Sequence, residues 1–295
     1  MPSIAQTLAA LQTQGLDRLD AQLLLLHVLG KPHQRGWLLA HDGDAVVQDC
    51  TERFNHLAQR RLAGEPLAYL TGYQAFYGLD VQVDHRVLVP RADTETLVNW
   101  ALEVLPEATT TAHVLDLGTG SGAIALALKA TRPQLTVCAT DASHSALAVA
   151  QKNAQCLNLS VSFHCGTWFN ALSSHPPRFD CIVSNPPYIA EGDEHLTALG
   201  FEPAQALTSG ADGLNDIRHI IQHAKGHLKP GGWLLLEHGH DQSQAVRHLL
   251  TTQGWTNTQS RCDLAGIERC SGGQSSSAKI PSCDERPKKQ QRKKP

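Results

Sequence analysis

Residues 179–189, "FDCIVSNPPYI", place an asparagine and a tyrosine on either side of two consecutive prolines at the end of an apolar run. Proline has a fixed φ and no amide hydrogen, so Pro186 and Pro187 stiffen the segment and offer carbonyl oxygens instead of donors. A planar –NH₂ group carries two hydrogens. The Asn185 side-chain oxygen can accept one and the Pro186 carbonyl the other, with Tyr188 packed on the flat group beside them. Held that way, an amide or amine nitrogen keeps its out-of-plane face free for attack on an electrophile. The bland alternative is a kinked surface loop, and the neighbouring motifs argue against it.

Two further stretches bear on the electrophile. In residues 114–126, "VLDLGTGSGAIAL", an apolar strand runs into a glycine-rich turn and then a helix. Gly118, Gly120 and Gly122, with Thr119 and Ser121 between them, let the backbone approach a ligand closely. A tight strand–helix connection would use the same residues. No Gly-Lys-Ser/Thr follows, so this is not a P-loop. Asp116 would repel a pyrophosphate but suits the ammonium of an amino-acid moiety. Asp141 ends the next strand, 19 residues past Gly122. A carboxylate there can accept hydrogen bonds from both ribose hydroxyls of an adenosine, although it could also cap the helix that follows.

These residues need strand ends to hold them, and the pattern from about residue 91 supplies them. "AHVLDLG", "QLTVCATD", "VSFHCG", "FDCIVSN" and "GGWLLLEHG" read as strands, and "GAIALALKAT", "HSALAVAQKNAQCLN" and "LNDIRHIIQHAKGHL" as helices. The alternation predicts an α/β fold with a mostly parallel sheet covered on both faces. Ligands in such sheets bind beyond the carboxyl ends of the strands, where Asp141 and Asn185 fall. Residues 1–72 read as a small helical domain, with Gly15 and Gly30 ending helices and Val47, Phe54, Leu57 and Leu62 near a common helix face. Residues 73–90 alternate apolar and polar around Gly78 and Asp84-His85, the pattern of a β-hairpin linker. Residues 91–273 form the α/β domain. Residues 274–295 have too little apolar content to pack and are expected to be a disordered basic tail.

Composition excludes several classes. Residues 284–295 hold six Lys/Arg and two Asp/Glu, which leaves 19 basic against 26 acidic side chains, about −7, on the rest of the chain. An acidic body argues against a large nucleic-acid footprint, although the tail could touch RNA. The longest apolar run, "AQLLLLHVLG", is too short to span a bilayer, and "MPSIAQTLAA" lacks the pattern of a secretory leader. The eight cysteines form no CxxC pair and suit reduced thiols in a cytoplasmic protein. The 16 histidines show no HExxH or comparable ligand spacing, so no metal is expected.

"DLGTGSG", Asp141 and "NPPY" in this order resemble a class I S-adenosyl-L-methionine-dependent methyltransferase acting on a planar nitrogen. "GEPLAYLTGYQAFYGLDVQVDHRVLVPRADTETLV", "VSNPPYI", "FEPAQAL" and "LLLEHG" narrow the resemblance to the HemK/PrmC family, which is similar over residues 4–273. Members methylate the side-chain amide of the glutamine in the GGQ motif of peptide chain release factors. The resemblance implies a Rossmann-like domain with a seven-stranded sheet and S-adenosyl-L-methionine as cofactor. It implies Gly118 to Gly122 along the methionine part, Asp141 on the ribose and Trp168 beside the adenine. Asn185 and the Pro186 carbonyl would grip the substrate amide, with Pro187 and Tyr188 packed nearby. Arg91, Asp93 and Glu95 would lie at the mouth of the site, or serve as a salt-bridged linker. Ala92 stands where the family usually has proline, and the basic tail does not match the family's ending. The rival chemistry is methylation of an exocyclic amine in nucleic acid, adenine N6 or guanine N2, after base flipping. A binding module without catalysis is the remaining alternative.

Overall fold

The computed structural model describes residues 1–106, 111–174 and 176–276. The chain opens with five helices: α1 (Ile4–Gln12), α2 (Arg18–Val28), α3 (Arg35–Ala40), α4 (Gln48–Leu62) and α5 (Leu67–Thr71). Short polar side chains start the first two. Ser3 and Gln6 form a capping box on α1, and the Asp17 carboxylate accepts from Leu19 N and Asp20 N on α2. Ile4, Leu11, Leu24, Leu25, Phe54 and Ala58 share one core. The face expected on α4 needs correction at its ends. Phe54 is buried and Leu57 half-buried, but Val47 precedes the helix and is exposed, as is Leu62 on its last turn.

Strands β1 (Tyr73–Phe76) and β2 (Leu79–Gln82) make the expected hairpin. Tyr77 and Gly78 both have positive φ, +49° and +77°, the two-residue turn whose twist matches that of its strands. The hairpin is clipped to the α/β domain by Asn153. Its side chain accepts from Gln82 N and donates to Gln82 O and Ser121 O, at 2.8 to 2.9 Å.

The α/β domain runs α6 (Glu95–Val104), β3 (His113–Leu117), α7 (Ala123–Thr131), β4 (Thr136–Asp141), α8 (His144–Cys156), β5 (Ser162–Cys165), β6 (Phe179–Ser184), α9 (Asn215–Ala224), β7 (Leu228–Glu237), α10 (Ser243–Thr252), β8 (Thr256–Cys262) and β9 (Glu268–Gln274). The sheet has seven strands in the order β5-β4-β3-β6-β7-β9-β8. The first five are parallel, and β9 pairs antiparallel with β7 and β8. From β3 the chain moves outward through β4 and β5, then returns to the other flank with β6 and β7. Strand order reverses between β3 and β6, where doubly wound sheets bind ligands. Val114, Val137, Cys181, Val183 and Leu235 point to one core, and Leu115, Leu117, Ile182, Leu234 and Leu236 to the other.

The antiparallel edge lies outside what periodicity could show, since β8 is polar and β9 holds two glycines. It also moves a boundary. β9 ends at Gln274 and Ser275 N donates to Gly232 O, so the packed body passes residue 273. The tail beyond residue 276 lies outside the described residues. Among the described residues seven cysteines, Cys50, Cys138, Cys156, Cys165, Cys181, Cys262 and Cys270, are free thiols.

Candidate active site

Strand register aligns the residues that carry the chemistry. Leu117 of β3 pairs with Thr140 of β4 on one side and Ser184 of β6 on the other, and Ser184 pairs with Leu236 of β7. The next residues along, Asp141, Gly118, Asn185 and Glu237, therefore form a row across four strand ends, neighbours about 4.8 Å apart. Segments distant in the chain become one edge because parallel strands carry the same polarity.

The turn over residues 118–122 keeps positive φ at each glycine, +71°, +55° and +86°. Gly118 and Gly122 also face close neighbours. A Cβ on Gly118 would come within 3.3 Å of the Trp168 ring, and one on Gly122 within 3.2 Å of the Ala150 Cβ. Gly118 thus leaves room beneath the Trp168 ring, and Gly122 lets α7 pack on α8. Asp141 steadies the turn. Its Oδ2 accepts from Gly120 N and its Oδ1 from Ser143 N, both at 2.8 Å. Ser143, not Asp141, caps α8, by accepting from Ala146 N. A carboxylate accepts about four hydrogen bonds, so Asp141 retains free lone pairs where it lines the cavity. Burial pushes its proton affinity up, against the pull of the two backbone donors.

Asp116 does not meet the ammonium expectation directly. Its carboxyl is fully buried beneath the turn, away from the cavity wall, with Oδ2 accepting from Thr119 Oγ1 at 2.6 Å. Burial pushes it up to about 7. Its other oxygen has no hydrogen-bond partner of good geometry among the described residues, though the Ala125 amide nearby pulls against the effect of burial.

Gly118, Thr119, Gly120, Ser121, Asp141, Trp168, Asn185 and Pro187 share one cavity, roofed by Val87, Leu88 and Pro90 of the linker and by Pro203 and Gln205. Gly122 stands behind the turn. Trp168 has positive φ, +50°, and its Nε1 donates to Asp216 Oδ1 at 3.2 Å. Asp216 in turn accepts from Ser209 Oγ at 2.6 Å. Pro186 is buried and lines neither this cavity nor the next. The loop around it is pinned on its far side. Tyr188 O accepts from Gln242 Nε2, and Ile189 exchanges backbone hydrogen bonds with Leu207 and Ser209.

Tyr188 faces a second cavity, with Arg91, Ala92, Asp93, Glu237 and Arg269. Arg91 and Asp93 line this second cavity and are also ion-paired, with Glu202 and Arg269. Glu95 does not line it, because its carboxylate accepts from Tyr77 N at 2.8 Å and ties down the hairpin. Arg91 pairs with buried Glu202, which also accepts from Val89 N, so "FEPAQAL" is bound to the linker. Thr94, Asn153, Glu202, Asp216 and Glu237 escaped the reading of individual motifs. For Thr94, Glu202 and Glu237 the signal was present in "PRADTE", "FEPAQAL" and "LLLEHG". Among the described residues no group of three His, Cys, Asp or Glu is placed to hold a metal, and no helix is long and apolar enough to cross a membrane.

A doubly wound sheet whose switch point carries a glycine turn, an acid and an Asn-Pro-Pro-Tyr loop around one cavity defines a Rossmann-like methyltransferase. Residues 97–253 match the methyltransferase small domain and residues 4–72 the PrmC N-terminal domain. Release factor glutamine methyltransferase from Xylella fastidiosa (strain Temecula1) is 49% identical over 276 residues, covering 92% of this chain and 98% of the relative. That from Bordetella pertussis is 51% identical over 261 residues, covering 88% and 95%. The chain belongs to the release factor glutamine methyltransferase family. Solved structures share the fold at low identity. A methyltransferase from Pyrococcus furiosus matches with a TM-score of 0.51 at 18% identity, covering 75% of this chain and 99% of that one. The 16S rRNA N2 G1207 methyltransferase of T. Thermophilus matches with 0.51 at 20%, covering 69% and 49%.

Proposed function

We propose that the protein transfers the methyl group of S-adenosyl-L-methionine to the side-chain amide nitrogen, N5, of the glutamine in the GGQ motif of peptide chain release factors, in the cytoplasm. The observation that carries this reading is the position of Asn185. It stands in the row with Gly118 and Asp141, on the wall of their cavity, while Tyr188 three residues on opens the second cavity.

The residues present fit the cofactor. The free lone pairs of Asp141 suit ribose hydroxyls, and the Gly118–Gly122 turn leaves backbone open to the methionine portion. Trp168, held by Asp216, gives a flat wall for adenine. Bound there, the cofactor supplies an electrophilic methyl group on a sulfonium. The second cavity, beside Tyr188, Arg91 and Asp93, would receive the glutamine side chain. An amide nitrogen is a poor nucleophile because its lone pair is delocalised. Asn185 Oδ1, on the cavity wall, accepts one of its N–H groups, and that contact strengthens as the nitrogen gains positive charge. The Pro186 carbonyl, expected to take the other, belongs to a buried residue that lines neither cavity. The rigid prolines hold Asn185 in place beside the cofactor cavity. The surplus proton leaves to water after transfer.

The test is single-turnover reaction of the full chain with methyl-labelled cofactor, offering release factor, duplex DNA and ribosomal RNA together. Label on the GGQ glutamine, located by peptide mass spectrometry, is the expected result. Label confined to nucleic acid, or absent from all acceptors, would overturn the proposal.

A further inference from the structure

Thr94 and Glu237 are buried against the Asn-Pro-Pro-Tyr loop, 4% and 2% exposed. Thr94 closes the 3-10 turn over Ala92–Thr94, just before α6, and Glu237 ends β7 in the row of strand ends. Asn185 Nδ2 donates to Thr94 Oγ1 at 3.2 Å. Burial pushes the Glu237 carboxyl up to about 7, and the Thr94 hydroxyl beside it pulls the other way. Tyr188 Oη donates to Glu237 Oε1 at 3.4 Å, and Glu237 Oε2 has no hydrogen-bond partner of good geometry among the described residues.

These contacts decide which way the Asn185 carboxamide faces. A hydroxyl has one proton and two lone pairs, and a carboxylate only accepts. Thr94 Oγ1 accepts from Asn185 Nδ2, so it presents a lone pair to Asn185 and its own proton is turned elsewhere, toward Glu237 beside it. A lone pair is satisfied by the –NH₂ end alone. The oxygen end is then turned toward the cavity, where an incoming –NH₂ group needs an acceptor. Without the acid, Thr94 is free to donate to the Asn185 oxygen. The carboxamide could then turn over and set two donors against the two donors of the substrate.

We propose that Thr94 and Glu237 are positioning residues that fix the Asn185 oxygen toward the substrate, with Glu237 also holding the Tyr188 ring by its hydroxyl. The inference rests on the glutamine-methylation reading. Thr94 borders the cofactor cavity and Glu237 the second cavity, but the role assigned to them is to orient Asn185 and Tyr188, so their effect falls mainly on the chemical step.

The measurement is the single-turnover rate on release factor at saturating concentrations, with cofactor affinity by calorimetry and the apparent KM for release factor. Thr94→Val keeps the side-chain shape and removes the hydroxyl. It should slow transfer on the order of 10- to 100-fold, with cofactor Kd and KM within about twofold. Thr94→Ser, which restores the hydroxyl, should recover the rate to within about threefold. Glu237→Gln, whose carboxamide can either accept or donate, should fall between them. A wild-type rate in Thr94→Val, or a Thr94→Ser variant as slow as Thr94→Val, overturns the inference. Should Thr94→Val fail to fold, Glu237→Gln decides: a wild-type rate in it overturns the inference, and slowed transfer at unchanged cofactor affinity supports it. Wild-type protein that never labels release factor overturns the substrate reading instead, and the inference with it.

Discussion

The turn over residues 118–122 and the strand end over residues 272–274 are both built on glycine, in the same sheet, for opposite reasons. The first lies at the carboxyl ends of the parallel strands. Its glycines have positive φ, and at Gly120 a Cβ would meet nothing within 4 Å, so backbone is held open to a cavity. The second lies in β9, which runs antiparallel, away from the row of site residues. There Gly272 is closed in: a Cβ would fall 2.6 Å from Leu234 O and 2.9 Å from the Trp100 ring. Glycine makes room for a ligand at one place and for the core at the other. The second stretch has a further interest, because Gly272-Gly273-Gln274 spells the motif assigned to the substrate. Its glutamine is engaged in the sheet, donating to Gly231 O and accepting from Asn257 Nδ2, both at 2.7 Å. A motif is a substrate only where its backbone can leave its own fold and enter the cavity.

The largest effect that would sharpen this contrast is at the open end. Asn185→Ala should cut single-turnover methyl transfer about 100- to 1,000-fold, the usual cost of one preorganised polar contact in a transition state, with the melting temperature little changed. Near wild-type transfer would show that the switch point does not hold the substrate amide.

The two buried carboxyls beneath that end should set a pH dependence of stability. Asp116 and Glu237 are each pushed up to about 7, first by burial. Their folded-state values lie above their unfolded ones, so between roughly pH 4 and 7 the unfolded chain releases protons that the folded chain keeps. Stability falls as pH rises through that window, by on the order of 3 kcal/mol for each group, and levels off above it. Asp116→Asn should flatten the decline in denaturant unfolding measured at steps of pH. An unchanged slope would mean that Asp116 ionises as easily in the fold as outside it.

At the closed end the effect should be on stability alone. Gly272→Ala forces a methyl into β9 against Leu234 and Trp100, and should destabilise by about 1–3 kcal/mol, read from denaturant unfolding. Cofactor affinity per folded molecule should stay the same. A variant as stable as the parent would break the comparison, since both glycine stretches would then tolerate a side chain.

The smallest effect expected is none. Folded protein incubated with cofactor should acquire no methyl group on Gln274, because its amide is already donating inside the sheet. Mass spectrometry of the peptide spanning residues 262–278 checks this, and methylation there would show that β9 opens far enough to reach a second copy's site.

Local chemistry explains what could be read in the residues. Glycines that need positive φ, prolines that stiffen a strand end and an acid closing the next strand carry their meaning with them, so Gly118 to Gly122, Asp141 and Asn185 could be singled out in order. The apolar runs of β3, β4 and β6 are buried on both faces and announce a parallel sheet. Ser3 and Asp17 cap their helices for the same local reason, although only the structure brought them out.

What only the tertiary structure decided depends on partners far away in the chain. Register, set by long-range packing of both sheet faces, put Glu237 in one row with Asp141, Gly118 and Asn185. Thr94 by itself carries no signal, and its contact exists only because β6 brings Asn185 to it, across 91 positions. Trp168 could be placed beside the cavity, but its anchor Asp216 comes from α9. Asp116, beside the turn in sequence, proves to lie under it, because alternate residues of a strand face opposite ways. β8 and β9 carry little strand signal of their own and exist as strands because β9 pairs with the open edge of β7 and β8 with β9.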